Sequence, residues 1–127
     1  MSAQVIHLKS DGGVPEVEVV FGQAQLGNYA CSRWRTPSST TAETIAQGNN
    51  VDDRPDRFSL GDPPPALKDN VLGFSILIQA ASPGPGQLFS YAILIRQDGA
   101  VVPGGSIRRS GPLGDSALAF LEYVRFA

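Results

Sequence analysis

Two neighbouring stretches decide the fold: residues 71–80, VLGFSILIQA, and residues 88–102, LFSYAILIRQDGAVV. In the first, Leu72, Phe74, Ile76 and Ile78 fall on one side of an extended chain and Gly73, Ser75 and Gln79 on the other, with Leu77 the one apolar exception. A period of two is the mark of a half-buried β-strand, because successive strand side chains point to opposite faces. In the second stretch Phe89, Tyr91, Ile93 and Ile95 share a side, and Ala92 and Leu94 make the other side apolar too. That pattern predicts a strand in the middle of a sheet. Asp98-Gly99 then supplies the two positive-φ residues of a tight hairpin, so residues 100–102 are predicted to return beside 88–96.

Outward from this centre, alternation continues in weaker form. Val17, Val19 and Phe21 face one way and Glu16, Glu18 and Val20 the other, and Gln4 to Leu8 forms a short opening strand. Asn28 to Thr36 places Ala30, Ser32 and Trp34 on one face and Tyr29, Cys31, Arg33 and Arg35 on the other. Pro103-Gly104-Gly105 interrupts the returning strand as an edge or bulge, and Ser106 to Ser110 resumes it with Ile107 inward and Arg108 outward. Residues 115–126 read as a strand, with a helix capped by Asp115 as the alternative; in the strand Leu118, Phe120, Val124 and Phe126 group together, with Glu122 misplaced among them.

Pro37 to Pro65 reads as one long irregular loop, rich in Ser, Thr, Asn, Asp and Pro. Within it Thr40 and Glu43 fit a capping box and Gly48 a C′ glycine, which predicts a helix of one or two turns. Arg57 to Leu60 reads as a brief strand, and Pro63-Pro64-Pro65 as an extended, rigid connection. Seven or eight short strands in 127 residues, without βαβ alternation, predict one domain over residues 1–127: a mainly antiparallel β-sandwich, with a partly open barrel as the alternative.

Composition narrows function more by exclusion than by identification. A net charge of −2 gives no global attraction to phosphate backbones or anionic lipid, so nucleic acid and membrane are not expected partners. The apolar runs fall far short of the roughly 18 residues of a membrane helix and no basic-then-apolar segment opens the chain, which points to a cytoplasmic protein or one exported without a cleaved leader. Cys31 is the only cysteine and reads as a small buried hydrophobe rather than a nucleophile. His7 is the only histidine, and no nucleophile turn accompanies it. No cofactor fingerprint is present, and Gly84-Pro85-Gly86 and Gly104-Gly105 lack the lysine and helix of a phosphate loop.

Two constellations remain as candidate ligand sites. Asn49, Asn50, Asp52, Asp53, Asp56 and Asp62 gather oxygen donors into one region, the composition a calcium ion requires, and Asp52, Asp53 and Asp56 are its weak metal candidates; Arg54 and Arg57 argue instead for a solvated loop with local ion pairs. Arg33, Trp34 and Arg35 could join a stacking face to guanidinium forks suited to sugars, carboxylates or phosphates. The triplet also reads as a strand with its only Trp in the core, and strand alternation then sends both arginines to the opposite face; that core placement is the expectation. The leading functional expectation is a non-catalytic binding or assembly module that self-associates or binds protein through the long loop and the Leu88–Val102 hairpin, apolar on both faces. The alternatives are a lectin-like module using Trp34 with Asn50, Asp52, Asp53 and Asp56, and a small hydrolase or isomerase pairing His7 with Glu43 or Asp56.

Overall fold

The computed structural model describes residues 3–22, 26–50, 56–80, 87–113 and 117–127. They form nine strands and one short helix: β1 (Gln4–Ile6), β2 (Glu16–Gly22), β3 (Leu26–Trp34), β4 (Glu43–Asn49), β5 (Asp56–Ser59), α1 (Pro64–Leu67), β6 (Val71–Gln79), β7 (Leu88–Gln97), β8 (Ala100–Pro112) and β9 (Leu118–Phe126). A five-stranded sheet in the order β1-β9-β6-β3-β4 packs on a four-stranded sheet in the order β5-β2-β7-β8, which is the expected sandwich. All pairings are antiparallel except β1 with β9, which is parallel. The layers approach each other at one side, where the His7 amide donates to the Pro103 carbonyl at 3.1 Å and the Gln4 side-chain amide reaches the Ser106 carbonyl at 3.0 Å, but they do not close into a barrel.

The residues that decided the fold also make its core. Leu72, Phe74, Ile76 and Ile78 of β6 meet Ile93 and Ile95 of β7, with Val17 and Val19 of β2, Val124 and Phe126 of β9 and Ile6 of β1 around them. Fully burying a side chain of this kind contributes about 1.5–3 kcal/mol, so the alternation supplies the main drive for the two layers to meet. Asp98 and Gly99 take φ values of 55° and 83°, the tight turn expected between β7 and β8. The Pro103-Gly104-Gly105 interruption is a bulge: the pairing of β7 with β8 shifts between Leu94 and Arg96, opposite 101–106. The 115–126 segment is a strand from Leu118, with Glu122 on its inward side.

Two expectations within Pro37–Pro65 are overturned. Residues 43–49 are not a helix but an edge strand, β4, whose Ile45 is an extra residue opposite the Cys31–Ser32 step of β3. Lone turns of helix depend on packing, and here the β3 edge offers a ladder of backbone hydrogen bonds that a one- or two-turn helix cannot match. The helix lies instead at Pro64–Leu67, in the predicted extended connection: Pro is tolerated in a first helical turn, where its missing N–H has no intrahelical acceptor, and Leu67 is fully buried. No helix among the described residues is long and apolar enough to cross a membrane.

Candidate functional site

Strand register places the outward side chains of the five-stranded sheet in rows. Trp34, Val71 and Arg125 form one row, Ser32, Gly73 and Tyr123 the next, then Ala30, Ser75 and Leu121, then Asn28, Leu77 and Ala119. At the Trp34 end a groove of about 460 Å³ opens between Trp34, Tyr123, Val71, Arg125, Pro37 and Ser39, with Ala3 and Val5 at one side. Gly73 makes this groove: a Cβ there would stand 2.8 Å from the Trp34 ring and 3.1 Å from that of Tyr123, so only glycine lets both rings lie down over β6. The ring centroids are 6.3 Å apart at a tilt of 51°. Arg125, at the rim, is 3.7 Å from Asp69.

The alternation predicted for β3 holds, but its faces are exchanged. Trp34 is half-buried on the outer surface, and Arg33 is the residue turned inward, 8% exposed. The charge survives burial because Glu43 and Asp62 meet it: the Arg33 guanidinium donates to Glu43 Oε1 at 2.6 and 3.0 Å and to Asp62 Oδ2 at 3.0 Å. Arg35, more exposed, joins the same two carboxylates at 3.3 and 3.2 Å. The Arg33 hydrogen bonds, and then its charge, hold the Glu43 carboxyl below the usual carboxylate range. Arg33 and Arg35 are thus committed to ion pairs behind the sheet, away from the face that Trp34 presents, and the triplet is not one recognition patch.

The oxygen-rich region stands apart from both. Asn50 accepts the Gly27 amide at 2.9 Å through its side chain, at the start of β3, whereas Trp34 ends that strand. Seven residues of extended chain separate the two by about 23 Å. Asp56 lies against Tyr29 and Gly48; burial, then the Asp56 charge and hydrogen bond, push the Tyr29 phenol up to about 12. Asp52 and Asp53 fall outside the described residues, among which no cluster of three or more His, Cys, Asp or Glu could hold a metal ion. A lectin-like site built from Trp34 together with Asn50 and Asp56 is therefore not assembled. Nor are the acid–base pairs: His7 follows β1 and Glu43 opens β4, opposite edges of one sheet and about 19 Å apart by strand spacing, while Asp56 lies on the far edge of the other sheet from the Pro103 carbonyl that His7 meets.

Two further polar clusters are structural in geometry. Glu122, 8% exposed, stands between the sheets, where Arg109 forks onto both of its oxygens at 3.0 and 3.1 Å and the Tyr91 hydroxyl donates to Oε2. Burial, then the Glu122 hydrogen bond, raises the Tyr91 phenol well above its ordinary value. On the outer face of the four-stranded sheet, Glu18 accepts Arg57 at 2.8 Å and Arg96 at 3.3 Å. Burial alone would raise its carboxyl, and the two arginines reverse the sign and hold it low. Cys31 is fully buried and burial pushes its thiol up to about 12, far from a reactive thiolate.

The outward side of 88–96 also differs from expectation. Ala92 and Leu94 are buried within the single chain, in register with Val20 and Glu18 of β2 and with Arg108 and Ser106 of β8, so the hairpin centre is no open apolar surface. That surface is on the other sheet. Its groove residues Tyr123, Val71 and Arg125, and Gly73 beside the two rings, were not among the candidates; the signal for them was the outward half of 118–126 combined with the register to β6, and register is not written in either strand alone. Compared with protein-family models, with curated proteins and with solved structures, the chain matches none.

Proposed function

We propose that this protein is a non-catalytic assembly module that pairs with a second copy of itself through the outer face of its five-stranded sheet. One observation carries the reading. Those five strands hold four charged residues among the described ones, Arg33, Glu43, Glu122 and Arg125, and only Arg125 is outward; the four-stranded sheet turns Glu16, Glu18, Arg57, Arg96 and Arg108 outward. The charge-poor face also carries a Trp, a Tyr and the exposed Leu26, Leu77 and Leu121. Charge depletion with aromatic enrichment is the composition of an interface core. Four strands of seven to nine residues and the three-residue β1 offer a projected area of about 600 Å² by strand spacing, close to the roughly 800 Å² per partner of a standard interface, so a face-to-face pair would use nearly all of it. Light scattering coupled to size exclusion, from micromolar to several hundred micromolar chain, tests the reading: mass rising toward twice 13.4 kDa supports it, and a strict monomer throughout ends it.

A second reading, a carbohydrate-binding surface, is favoured by the paired rings of Trp34 and Tyr123 with the Arg125 guanidinium at the groove rim. Ring faces suit the C–H side of a sugar and a guanidinium its hydroxyls. Trp34 emission titrated with a panel of mono- and oligosaccharides decides it; no shift with any of them removes it.

A further inference from the structure

We infer that, in the pair, Leu121 of each copy seats in the Trp34–Tyr123 groove of the other. This rests on the proposed self-association and adds which residues lock it. Leu121 is the most exposed large apolar side chain among the described residues, at 66%, against 38% for Leu77 and 47% for Leu26 on the same face. Its cross-strand neighbours are small, Ser75 and then Ala30, and the adjoining row adds Ser32 and Gly73, so Leu121 stands as a knob above a low floor. Tyr123, one wall of the groove, lies two residues further along β9 on the same face, about 7 Å away.

That closeness makes the arrangement self-complementary. In a twofold pair, any contact of knob with hole occurs twice, and both form at once only if the axis passes midway between the knob and the hole of one copy. With knob and groove within about 10 Å of each other, the axis falls inside the charge-poor face and the surrounding rows meet as well. The groove offers an apolar side chain Val71, Pro37 and the rings of Trp34 and Tyr123. Apolar anchors in aromatic-lined pockets near the centre of an interface are where binding energy concentrates. The small residues around Leu121 let the two sheets approach to about the 10 Å of ordinary sheet packing.

Trp34 is the only Trp of the chain, so the groove has its own reporter. The test is sedimentation equilibrium on the full chain with Trp34 emission and iodide quenching read in the same samples. The expected result is a blue shift and loss of quenching that follow the same isotherm as the mass. Leu121→Lys should weaken association at least 100-fold, with circular dichroism unchanged and, at concentrations where both chains are monomeric, the urea midpoint unchanged because the side chain is already in solvent, and Leu121→Met should retain the pair. Leu88→Lys, at a leucine 50% exposed on the other sheet, should have no effect on mass. A dimer whose affinity is untouched by Leu121→Lys, or whose Trp34 emission does not change with concentration, overturns the inference while leaving self-association standing. A monomer at every concentration overturns both.

Discussion

Glu122 offers a sharp test of what holds the two layers in register, because its carboxylate is buried between them and its bonds come from the opposite sheet, Tyr91 of β7 and Arg109 of β8. Tyr91→Phe deletes one donor and leaves a charge behind, which for a hydrogen bond to a charged group costs about 1.5–3 kcal/mol. Arg109→Ala breaks a buried pair, normally about 3–5 kcal/mol; the Arg109 side chain is 51% exposed, so water can replace part of it and about 2–3 kcal/mol is expected. Glu122→Leu removes the buried charge, releases the 51%-exposed Arg109 to water, leaves the Tyr91 hydroxyl without its acceptor at a cost of about 1–3 kcal/mol, and recovers much of that by apolar burial beside Phe120. The decisive variant is Tyr91→Phe with Glu122→Leu: with both partners apolar, stability should lie within about 1 kcal/mol of the original, giving a coupling of about 2 kcal/mol. Urea unfolding with a shared m-value, or calorimetry in which each kcal/mol moves Tm by about 4 °C at this chain length, measures it. An additive double variant, with coupling below about 0.5 kcal/mol, would refute the idea that hydroxyl and carboxylate act as one inter-sheet tie.

Arg33→Met keeps the buried stem but removes the bonds that depress Glu43, so the Glu43 carboxyl should return toward its ordinary range in an NMR titration. A depressed folded-state carboxyl stabilises above its unfolded pKa and loses that contribution as pH falls through the folded value, so the variant should also flatten the acid side of the stability profile. Tyr29, pushed up to about 12, should show the opposite dependence: its contribution is complete below the ordinary phenol value near 10 and is lost as pH rises toward 12. Absorbance at 295 nm should therefore show a phenolate step near 12 that Tyr29→Phe removes; a Tyr29 titrating near 10 in the folded protein would contradict its burial. Gly99→Ala and Gly104→Ala share a positive φ, 83° and 78°, but a Cβ at 99 meets nothing while one at 104 falls 2.0 Å from the Val5 carbonyl oxygen. The first should cost about 1–2 kcal/mol in urea unfolding and the second clearly more.

How much of this was legible before the structure depends on whether a signal is local. The strands 71–79 and 88–97, the Asp98-Gly99 turn and the inward set Leu118, Phe120, Val124 and Phe126 are written in side-chain period and turn chemistry, and each occurs as expected. The strand at 43–49 was hidden because its hydrogen bonds come from β3, and the capping-box spacing of Thr40 and Glu43 carried no information about that neighbour. The same cause reversed Trp34 and Arg33. Alternation states that they face apart but not which of them faces in; hydrophobicity favoured Trp34, whereas Glu43 and Asp62, ten and twenty-nine residues away, made it possible to bury Arg33. Glu122 looked misplaced for a related reason, its partners being Tyr91 and Arg109 on another sheet.

The contrast between the two outer faces bears on function through what each would lose by being ordinary. More than half of any soluble protein's surface is apolar, so scattered exposed leucines alone argue nothing. Here the comparison is internal. The four-stranded sheet covers its outward Leu94 and Ala92 within rows holding Glu18, Arg57, Arg96 and Arg108, the arrangement of a face that keeps its surface in water. The five-stranded sheet has equal access to solvent in a single chain, and a lysine at 121 would cost its fold almost nothing, since a side chain 66% exposed gives little packing. Nothing among the described residues of one chain calls for Leu there, for Leu77 in the next row, or for a glycine that lays two aromatic rings on the surface. In the proposed pair the same residues leave water against another apolar surface, and a Leu121 knob some 10 Å from an aromatic groove would let a second copy supply that surface with one symmetric contact.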